Sequence, residues 1–427
     1  MYKQSIYTIF VADYAEGSLV ANLKTGALAV MDGSTKEFLS GISSNPHYYD
    51  NEWFAELLKQ GFIVPVLLDE YNELAYNNVK YKIQDTSHLS LVIAPTLECN
   101  LSCFYCYQKN TKLHASLDFD ALFSFISANI AGVEELYVTW YGGEPLLHLD
   151  AIERFTTQIQ ALCQEKKVQY NCNLITNGSL LSATSVRVFQ SLHIKDIQIT
   201  LDGMFPMTSL YKGSTQEQFE ETISFLCEAC AKDMPVSLRM NVDKNNWCSC
   251  LELVKLLLVD KALLGKLRVY AAPIDPIVIS NCDLERFFID AEITIMEQEF
   301  RSYLLSLGHS AGGLNEYRPS YCGMKQRGSM LVDPSGDLYS CYNHIGNTEK
   351  SIGNIYTGIH YTDYFLHILN PDFPAQCQSC NVLPICLGGC PENDPCHSAL
   401  RCQSIRLRIL NDIKSFYERS KQDEDYH

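Results

Sequence analysis

The sequence predicts an α/β fold: a parallel sheet covered by helices, preceded by a small mixed unit and followed by a cysteine-rich part. Three observations predict it. Strand and helix patterns alternate six times between residues 88 and 307. A composition of 47% hydrophobic and 19% charged residues is that of a globular chain. Eighteen cysteines are present, and most gather in two spaced groups, one inside the alternating region and one after it.

Residues 1–85 read as a compact first unit. Ile6–Val11, Ser18–Lys24 and Ala27–Met31 are short strands. Ser34–Leu39 is a helix with Ser34 as N-cap and Glu37 three residues on, and Asn51–Gln60 is a second helix ended by Gly61. Phe62–Val64 is a further strand, where Pro65 fits only an edge or an end. A hairpin with helices of this kind resembles a winged helix. Its charge opposes a DNA role: six Lys and no Arg face eleven acidic residues, a net −5.

The six strands that follow are Leu89–Ala94, Tyr137–Tyr141, Tyr170–Thr176, Asp196–Leu201, Val236–Val242 and Leu267–Ala272. Helices follow near Asp118–Ile130, Ala151–Glu165, Ser182–Leu192, Gln216–Lys232, Trp247–Leu264 and Leu284–Leu307. Six βα units build either an open doubly wound sheet or a partial barrel, and in both the chemistry gathers at the strand ends. Residues 308–410 lose this periodicity and gain Gly and Cys. Ser329–Val332 and Leu338–Cys341 flank Asp333–Gly336, a hairpin turn. Cys402 leads into an amphipathic helix through Tyr417, and Lys421–His427 read as a polar tail.

Charge and hydropathy exclude several classes. The net charge of −17 opposes nucleic-acid partners. No run of about 18 apolar residues offers a membrane span. Met1–Phe10 carries one Lys and is soon followed by Asp13, unlike a secretory signal, so a cytoplasmic location is expected. In that compartment clustered cysteines bind metal more often than they pair.

The first cysteine group, Cys99, Cys103 and Cys106, occupies one short loop after the first strand of the alternating region. Three thiolates can hold three irons of a [4Fe–4S] cube and leave the fourth open; a zinc loop short of one ligand is the plainer reading. With Tyr105 before the last Cys, this Cys-x3-Cys-x2-Cys loop resembles the radical S-adenosylmethionine family. The resemblance implies a partial (β/α)6 barrel, S-adenosylmethionine bound at the open iron, and its reductive cleavage to methionine and a 5′-deoxyadenosyl radical. It also implies an external electron donor such as flavodoxin or ferredoxin.

Other strand ends extend the likeness. Gly142-Gly143-Glu144-Pro145 looks like the family's GGEP motif, with glycines for close backbone approach and Glu144 for an ammonium. Thr176-Asn177-Gly178 and Thr200-Leu201-Asp202-Gly203 resemble loops lining the cofactor or substrate pocket, although plain βα turns would read alike. Arg239 and Asn241 share one face of the fifth strand; they reach the pocket, or Arg239 packs in an ion pair. The family often places an Arg after the fourth strand for the cofactor carboxylate. Ser209–Lys212 holds none, and Lys212 is the substitute at hand.

The second cysteine group is the more specific. Cys322 is followed after thirteen residues by Gly336 and after four more by Cys341; then come Cys377-x2-Cys380-x5-Cys386-x3-Cys390 and finally Cys402. This order resembles the SPASM domain, whereas Cys-x2-Cys alone would suggest a zinc ribbon. The resemblance implies two auxiliary [4Fe–4S] clusters, three in all. Cys322, Cys341 and Cys390 would hold the first, with Cys282 or a substrate thiolate as its fourth ligand. Cys377, Cys380, Cys386 and Cys402 would hold the second, with Cys396 competing with Cys402 or adding to it. Cys163, Cys172, Cys227, Cys230, Cys248 and Cys250 read as core thiols.

The expected domains are therefore 1–85, a peptide recognition element; 86–307, the barrel; 308–410, the auxiliary-cluster domain; and 411–427, a helix end and tail. The resemblance implies a maturase of ribosomally made peptides. Its first unit would bind the precursor's leader as an added strand, and its radical would initiate an intramolecular thioether, or a carbon–carbon link. An anaerobic sulfatase-maturating enzyme is the second enzyme reading. In that family an Asp base follows the second SPASM cysteine, whereas here Tyr342 follows Cys341. An iron–sulfur electron carrier with a binding module is the non-enzyme reading.

Overall fold

The computed structural model describes residues 1–42, 53–111, 115–276, 284–289, 291–309, 322–369, 373–390 and 399–424, so Cys282 and Cys396 lie outside the described residues. Two compact units form, and they do not follow chain order. One comprises Met1–Gln84, Gly312–Lys325 and Leu369–His427; the other comprises Asp85–Ala311 and Gln326–Ile368.

In the first unit, β1 (Tyr2–Gln4), β2 (Thr8–Tyr14), β3 (Gly17–Asn22), β4 (Leu28–Met31) and β5 (Ile63–Pro65) make two small sheets. β1 pairs antiparallel with β5, and β2, β3 and β4 form an antiparallel sheet in that order. The helix Gly33–Gly41 starts one residue earlier than expected, and its N-cap lies two residues earlier. Asp32 is its N-cap and accepts from the Thr35 N–H at 2.7 Å, while Ser34 lies inside the helix and donates to Asp32 at 2.8 Å. A carboxylate with extended backbone is the stronger acceptor for the orphan N–H groups. A helix at Glu70–Val79, which periodicity did not reveal, is anchored by buried Glu70, accepting from Ser5 at 2.5 Å and Ile6 at 3.0 Å.

The C-terminal helix spans Ala399–Glu424, seven residues beyond the expected Tyr417. Ile409 and Ile413, four apart on one face, pack with Ile9, Leu19, Ala21 and Leu23 of the N-terminal sheet. Burying each such side chain contributes roughly 1.5–3 kcal/mol. Lys421 bonds to Glu16 and lies over the rings of Tyr14 and Tyr417 at 5.7 and 5.2 Å, which holds the last turns in place. The chain's two ends thus share one core, which no local pattern could show.

All six expected strands are present in the second unit: β6 (His88–Ile93), β7 (Glu135–Trp140), β8 (Gln169–Thr176), β9 (Ile194–Thr200), β10 (Val236–Val242) and β11 (Leu267–Pro273). They run parallel in unbroken sequential order from β11 to β6. An open doubly wound sheet would reverse its order at a switch point, so the sheet is wound in the single sense of a partial barrel. β12 (Ser329–Val332) joins β6 in parallel, and β13 (Asp337–Tyr339) turns back on it. The intervening Asp333–Gly336 turn is as expected: the Asp333 carboxylate accepts from the N–H groups of Ser335 and Asp337 at 2.8 and 3.0 Å, and Gly336 adopts φ +82°. One helix, Phe205–Lys212, falls where a loop was expected, and it shapes the site.

Candidate active site

The Cys99–Cys106 loop leaves β6 and is held by the Phe205–Lys212 helix. Ser102 N–H donates to the Lys212 carbonyl at 3.0 Å, and Phe104 N–H to the Tyr211 carbonyl at 3.1 Å. Phe104 and Tyr105 pack with Tyr211, Ile274 and Phe287, and the Arg286 guanidinium lies 4.3 Å over the Phe104 ring. Cys99, Cys103 and Cys106 are thiols, none in a disulfide. Burial pushes the Cys99 thiol up, and pushes Cys103 up to about 11 with Lys212 opposing, so a metal must displace protons here. Among the described residues no three His, Cys, Asp or Glu side chains converge as ligands of a single ion do. A four-iron cube makes no such demand, because its thiolates bind separate irons.

Beside this loop lies a cavity of about 540 Å³, within the range of small-molecule sites. Cys103, Tyr105 and Cys106 line it, together with Gly142, Gly143, Asn177, Thr200, Lys212, Arg239 and Asn241. Glu144, Pro145 and Asp202, placed with the cofactor on sequence grounds, are buried and do not border it. Glu144 is 0% exposed. Its carboxylate accepts from Leu146 N–H at 3.1 Å, Thr176 hydroxyl at 2.7 Å and Asn177 N–H at 2.8 Å. It therefore ties the loop after β7 to the loop after β8 and has little capacity left for an ammonium. Burial pushes its carboxyl up, against these donors. Asp202, also 0% exposed, accepts from Tyr105 hydroxyl and from Asn241 N–H at 2.8 Å.

The two glycines serve packing as well as approach. A Cβ on Gly142 would stand 2.5 Å from the Thr96 carbonyl oxygen, and one on Gly143 only 2.0 Å from that of Glu98. The Gly142–Gly143 turn thus lies flat against the segment that delivers Cys99. Gly143 and Glu144 N–H groups donate to those same Thr96 and Glu98 carbonyls at 3.0 and 2.9 Å. Asn177 completes the frame: its amide donates to Cys99 Sγ at 3.5 Å and Asn100 at 3.0 Å.

Lys212 is the largest gain over the sequence reading. It is 1% exposed, donates to the carbonyls of Asn177 at 3.1 Å and Thr200, and borders the cavity. An ammonium has three donors, so one remains for the cavity. Arg239 forms a hydrogen bond to Asn241 at 2.9 Å, lies 6.0 Å over the Tyr270 ring and also borders the cavity. Sequence reasoning missed the aromatic wall. Tyr107 and Tyr141 are hydrogen-bonded hydroxyl to hydroxyl, and the Tyr342 ring meets Tyr141 edge-on at 5.3 Å; all three line the cavity. A signal existed. Polar Gln198 and Thr200, then Arg239 and Asn241, alternate on neighbouring strands and mark the face that borders the cavity.

The C-terminal cysteines fall in both units. Cys341 belongs to the second, where the next residues, Tyr342 and Asn343, line the cavity. Cys322, Cys377, Cys380, Cys386, Cys390 and Cys402 belong to the first. Cys377 and Cys380 share one turn, closed by the Cys380 N–H to the Cys377 carbonyl at 3.1 Å. Leu387, Gly388 and Gly389 all have positive φ, reversing the chain between Cys386 and Cys390. Arg406, one turn after Cys402, donates to Asn381 at 2.7 Å and reaches Cys380 Sγ at 3.9 Å, so the Cys402 helix packs at that turn. Of the six expected core thiols, Cys163, Cys172, Cys230 and Cys250 are buried, Cys227 is half-buried and Cys248 is exposed on the outer side of its helix.

Comparison with known proteins agrees with this geometry. Residues 93–257 match the Radical SAM superfamily. The serine-type anaerobic sulfatase-maturating enzyme of Klebsiella aerogenes is 23% identical over 326 residues, covering 69% of this chain and 77% of that one. The structure of anSMEcpe with bound AdoMet and the Cp18Cys peptide superposes with a TM-score of 0.61 at 18% identity, over 78% of this chain and 99% of that one. Streptococcus suis SuiB bound to precursor peptide SuiA gives 0.54 at 17% identity, over 91% and 95%. The family match assigns a radical SAM domain to residues 93–257, the stretch that carries the cysteine loop. Beyond that domain the chain is similar in sequence to anaerobic sulfatase-maturating enzymes and in fold to SuiB. No helix among the described residues is long and apolar enough to cross a membrane.

Proposed function

We propose that the protein is a peptide maturase that forms an intramolecular link, a Cys thioether, in a ribosomally made precursor. The observation that carries this reading is the unpaired edge of β4: among the described residues it pairs with β3 alone. An extended leader can add there as a strand, which needs main-chain hydrogen bonds and no basic charge. The likeness to peptide-bound SuiB also spans 91% of the chain, against 78% for anSMEcpe.

The residues present fit a cluster and S-adenosylmethionine. Cys99, Cys103 and Cys106 would hold three irons, and Lys212 and Arg239 would face the cofactor's carboxylate. Thr200 and Asn241 offer partners for hydroxyl groups. When bound, cluster and cofactor supply a 5′-deoxyadenosyl radical. The chain's part is to orient: Glu144 and Asn177 fix the cysteine loop, Asp202 and Asn241 fix Tyr105, and Tyr107, Tyr141 and Tyr342 form one wall of the cavity. Two auxiliary clusters, on the C-terminal cysteines, would take up the surplus electron. A flavodoxin or ferredoxin would serve as reductant.

Formylglycine formation is the second reading, favoured by the curated relatives at 23% identity. Against it stands Tyr342, which occupies the cavity wall in the place that reading gives to an Asp. One experiment separates them. The enzyme is co-expressed with a candidate precursor, and the product is analysed by mass spectrometry and a hydrazide probe. A cross-linked peptide loses two hydrogens and ignores the probe; a product captured as an aldehyde overturns the cross-link reading.

A further inference from the structure

Arg286 is a cation beside the cysteine loop to which the reading above gives no task. It ends the short helical turn Leu284–Arg286 in the second unit. Its backbone carbonyl accepts from the Lys244 N–H at 2.9 Å, and its Nε donates to the Asp243 carboxylate. Asp243 lies just past the end of β10 and is 0% exposed. Its other oxygen accepts from the Tyr211 hydroxyl at 2.5 Å and from the N–H groups of Asn245 and Asn246 at 2.9 and 3.1 Å. The carboxylate is therefore immobile, and it fixes where the guanidinium sits. That guanidinium lies 4.3 Å from the centre of the Phe104 ring and 5.0 Å from that of Tyr211, and the two rings meet edge-on at 5.0 Å. Phe104 directly follows Cys103.

A buried carboxylate needs a cation, and any paired cation would meet that need. What the pairing does not require is the second contact, the guanidinium on the Phe104 ring. Only arginine makes both: its planar group donates from an edge and stacks on an aromatic face, whereas an ammonium is a point charge. Asn177 steadies the cysteine loop at Cys99, at one end. Arg286 meets it at Phe104, near the middle, and ties it to the loop that follows β10.

We propose that Arg286 is a positioning residue: anchored by Asp243, it clamps the Phe104 ring and so fixes Cys103 against the cavity that receives the cofactor. The proposal rests on the cofactor reading given above. It is tested on the full chain, anaerobically reconstituted, with Arg286→Lys, Phe104→Leu and the double variant. Three quantities are read: the melting temperature, the change that S-adenosylmethionine makes in the electron paramagnetic resonance spectrum of the reduced protein, and the rate of 5′-deoxyadenosine formation. The cofactor binds only at an open iron, so the spectral change reports the Cys99–Cys106 loop and no other cysteine set. Arg286→Lys keeps a cation for Asp243 and should melt close to the unmodified protein. It should nevertheless alter the cofactor-induced spectrum and slow 5′-deoxyadenosine formation by about tenfold. Phe104→Leu keeps apolar bulk, removes the ring and should do the same. The double variant should lose no more than either single one, because both remove one contact. Additive losses, or a Lys variant with unchanged spectrum and rate, overturn the clamp. So does an Arg286→Lys protein that loses melting temperature and iron together, since Arg286 would then serve the fold alone. An unmodified protein whose reduced spectrum ignores S-adenosylmethionine overturns the cofactor reading, and the clamp with it.

Discussion

Lys212 and Glu144 show how differently two buried charges can serve one site. Lys212 spends two donors on the carbonyls of Asn177 and Thr200 and keeps one for the cavity. Lys212→Met should leave those carbonyls unsatisfied, costing about 1–3 kcal/mol of stability. It should also weaken S-adenosylmethionine binding in the reconstituted enzyme. Unchanged affinity by calorimetric titration would make Lys212 a structural residue only. Glu144 holds loops together, and Gln cannot accept from all three of its present donors. Glu144→Gln should therefore lower the melting temperature while leaving 5′-deoxyadenosine formation measurable in the cold. A loss of cofactor affinity without a stability change would instead place Glu144 on the cofactor. Replacing Cys99, Cys103 and Cys106 by Ala should abolish that cleavage altogether, since no iron would remain to bind the cofactor.

Two elements carry tests of their own. In the β3–β4 ladder, Asn22 N–H donates to the Ala27 carbonyl, so alternation turns the Leu28 and Val30 backbone groups toward the open edge. Val30→Pro removes one outward N–H and no bond to β3. It should weaken precursor binding in a titration while 5′-deoxyadenosine formation persists; equal binding would remove leader recognition from this edge. The Asp333–Gly336 turn predicts a pH effect. Burial raises the Asp333 carboxyl from its ordinary value of 3.8 to about 6 despite its N–H donors. The folded state then holds this proton more tightly than the unfolded state. Its contribution to stability is present below about pH 4 and falls as pH rises toward 6. Asp333→Asn should abolish that fall in denaturant titrations, and an identical pH profile in both proteins would contradict the assignment.

At the scale of the molecule, the three cysteine sets predict about twelve irons per chain after anaerobic reconstitution. A plateau near four, or zinc at Cys377–Cys390, would remove the auxiliary clusters. Replacing Cys377 and Cys380 by Ala should abolish peptide product but leave uncoupled cofactor cleavage. Deleting residues 1–85 is a poor test of leader recognition, because Ile409 and Ile413 of the C-terminal helix share the core of that N-terminal sheet. Removing one end would expose the other, so substitutions at the β4 edge are the cleaner probe.

Much of the chemistry was legible in the sequence because it rests on covalent spacing. Cys-x3-Cys-x2-Cys cannot be stretched by folding, and six βα units follow from local periodicity, so the cysteine loop and all six strands were found. Val236–Val242 matched at both ends, while Ser34 lost the cap to Asp32 because two neighbouring oxygens compete for the same N–H groups. Tertiary structure alone decided what depends on distant segments meeting. The meeting of Tyr107, Tyr141 and Tyr342 joins residues 235 positions apart. Lys212 reaches the cavity only because the Phe205–Lys212 helix turns it under two strand ends. Glu144 is withdrawn from the cavity by donors on another loop, and the two chain ends meet in one hydrophobic core. Such contacts arise from burial and hydrogen-bond satisfaction across the fold, which local patterns do not encode.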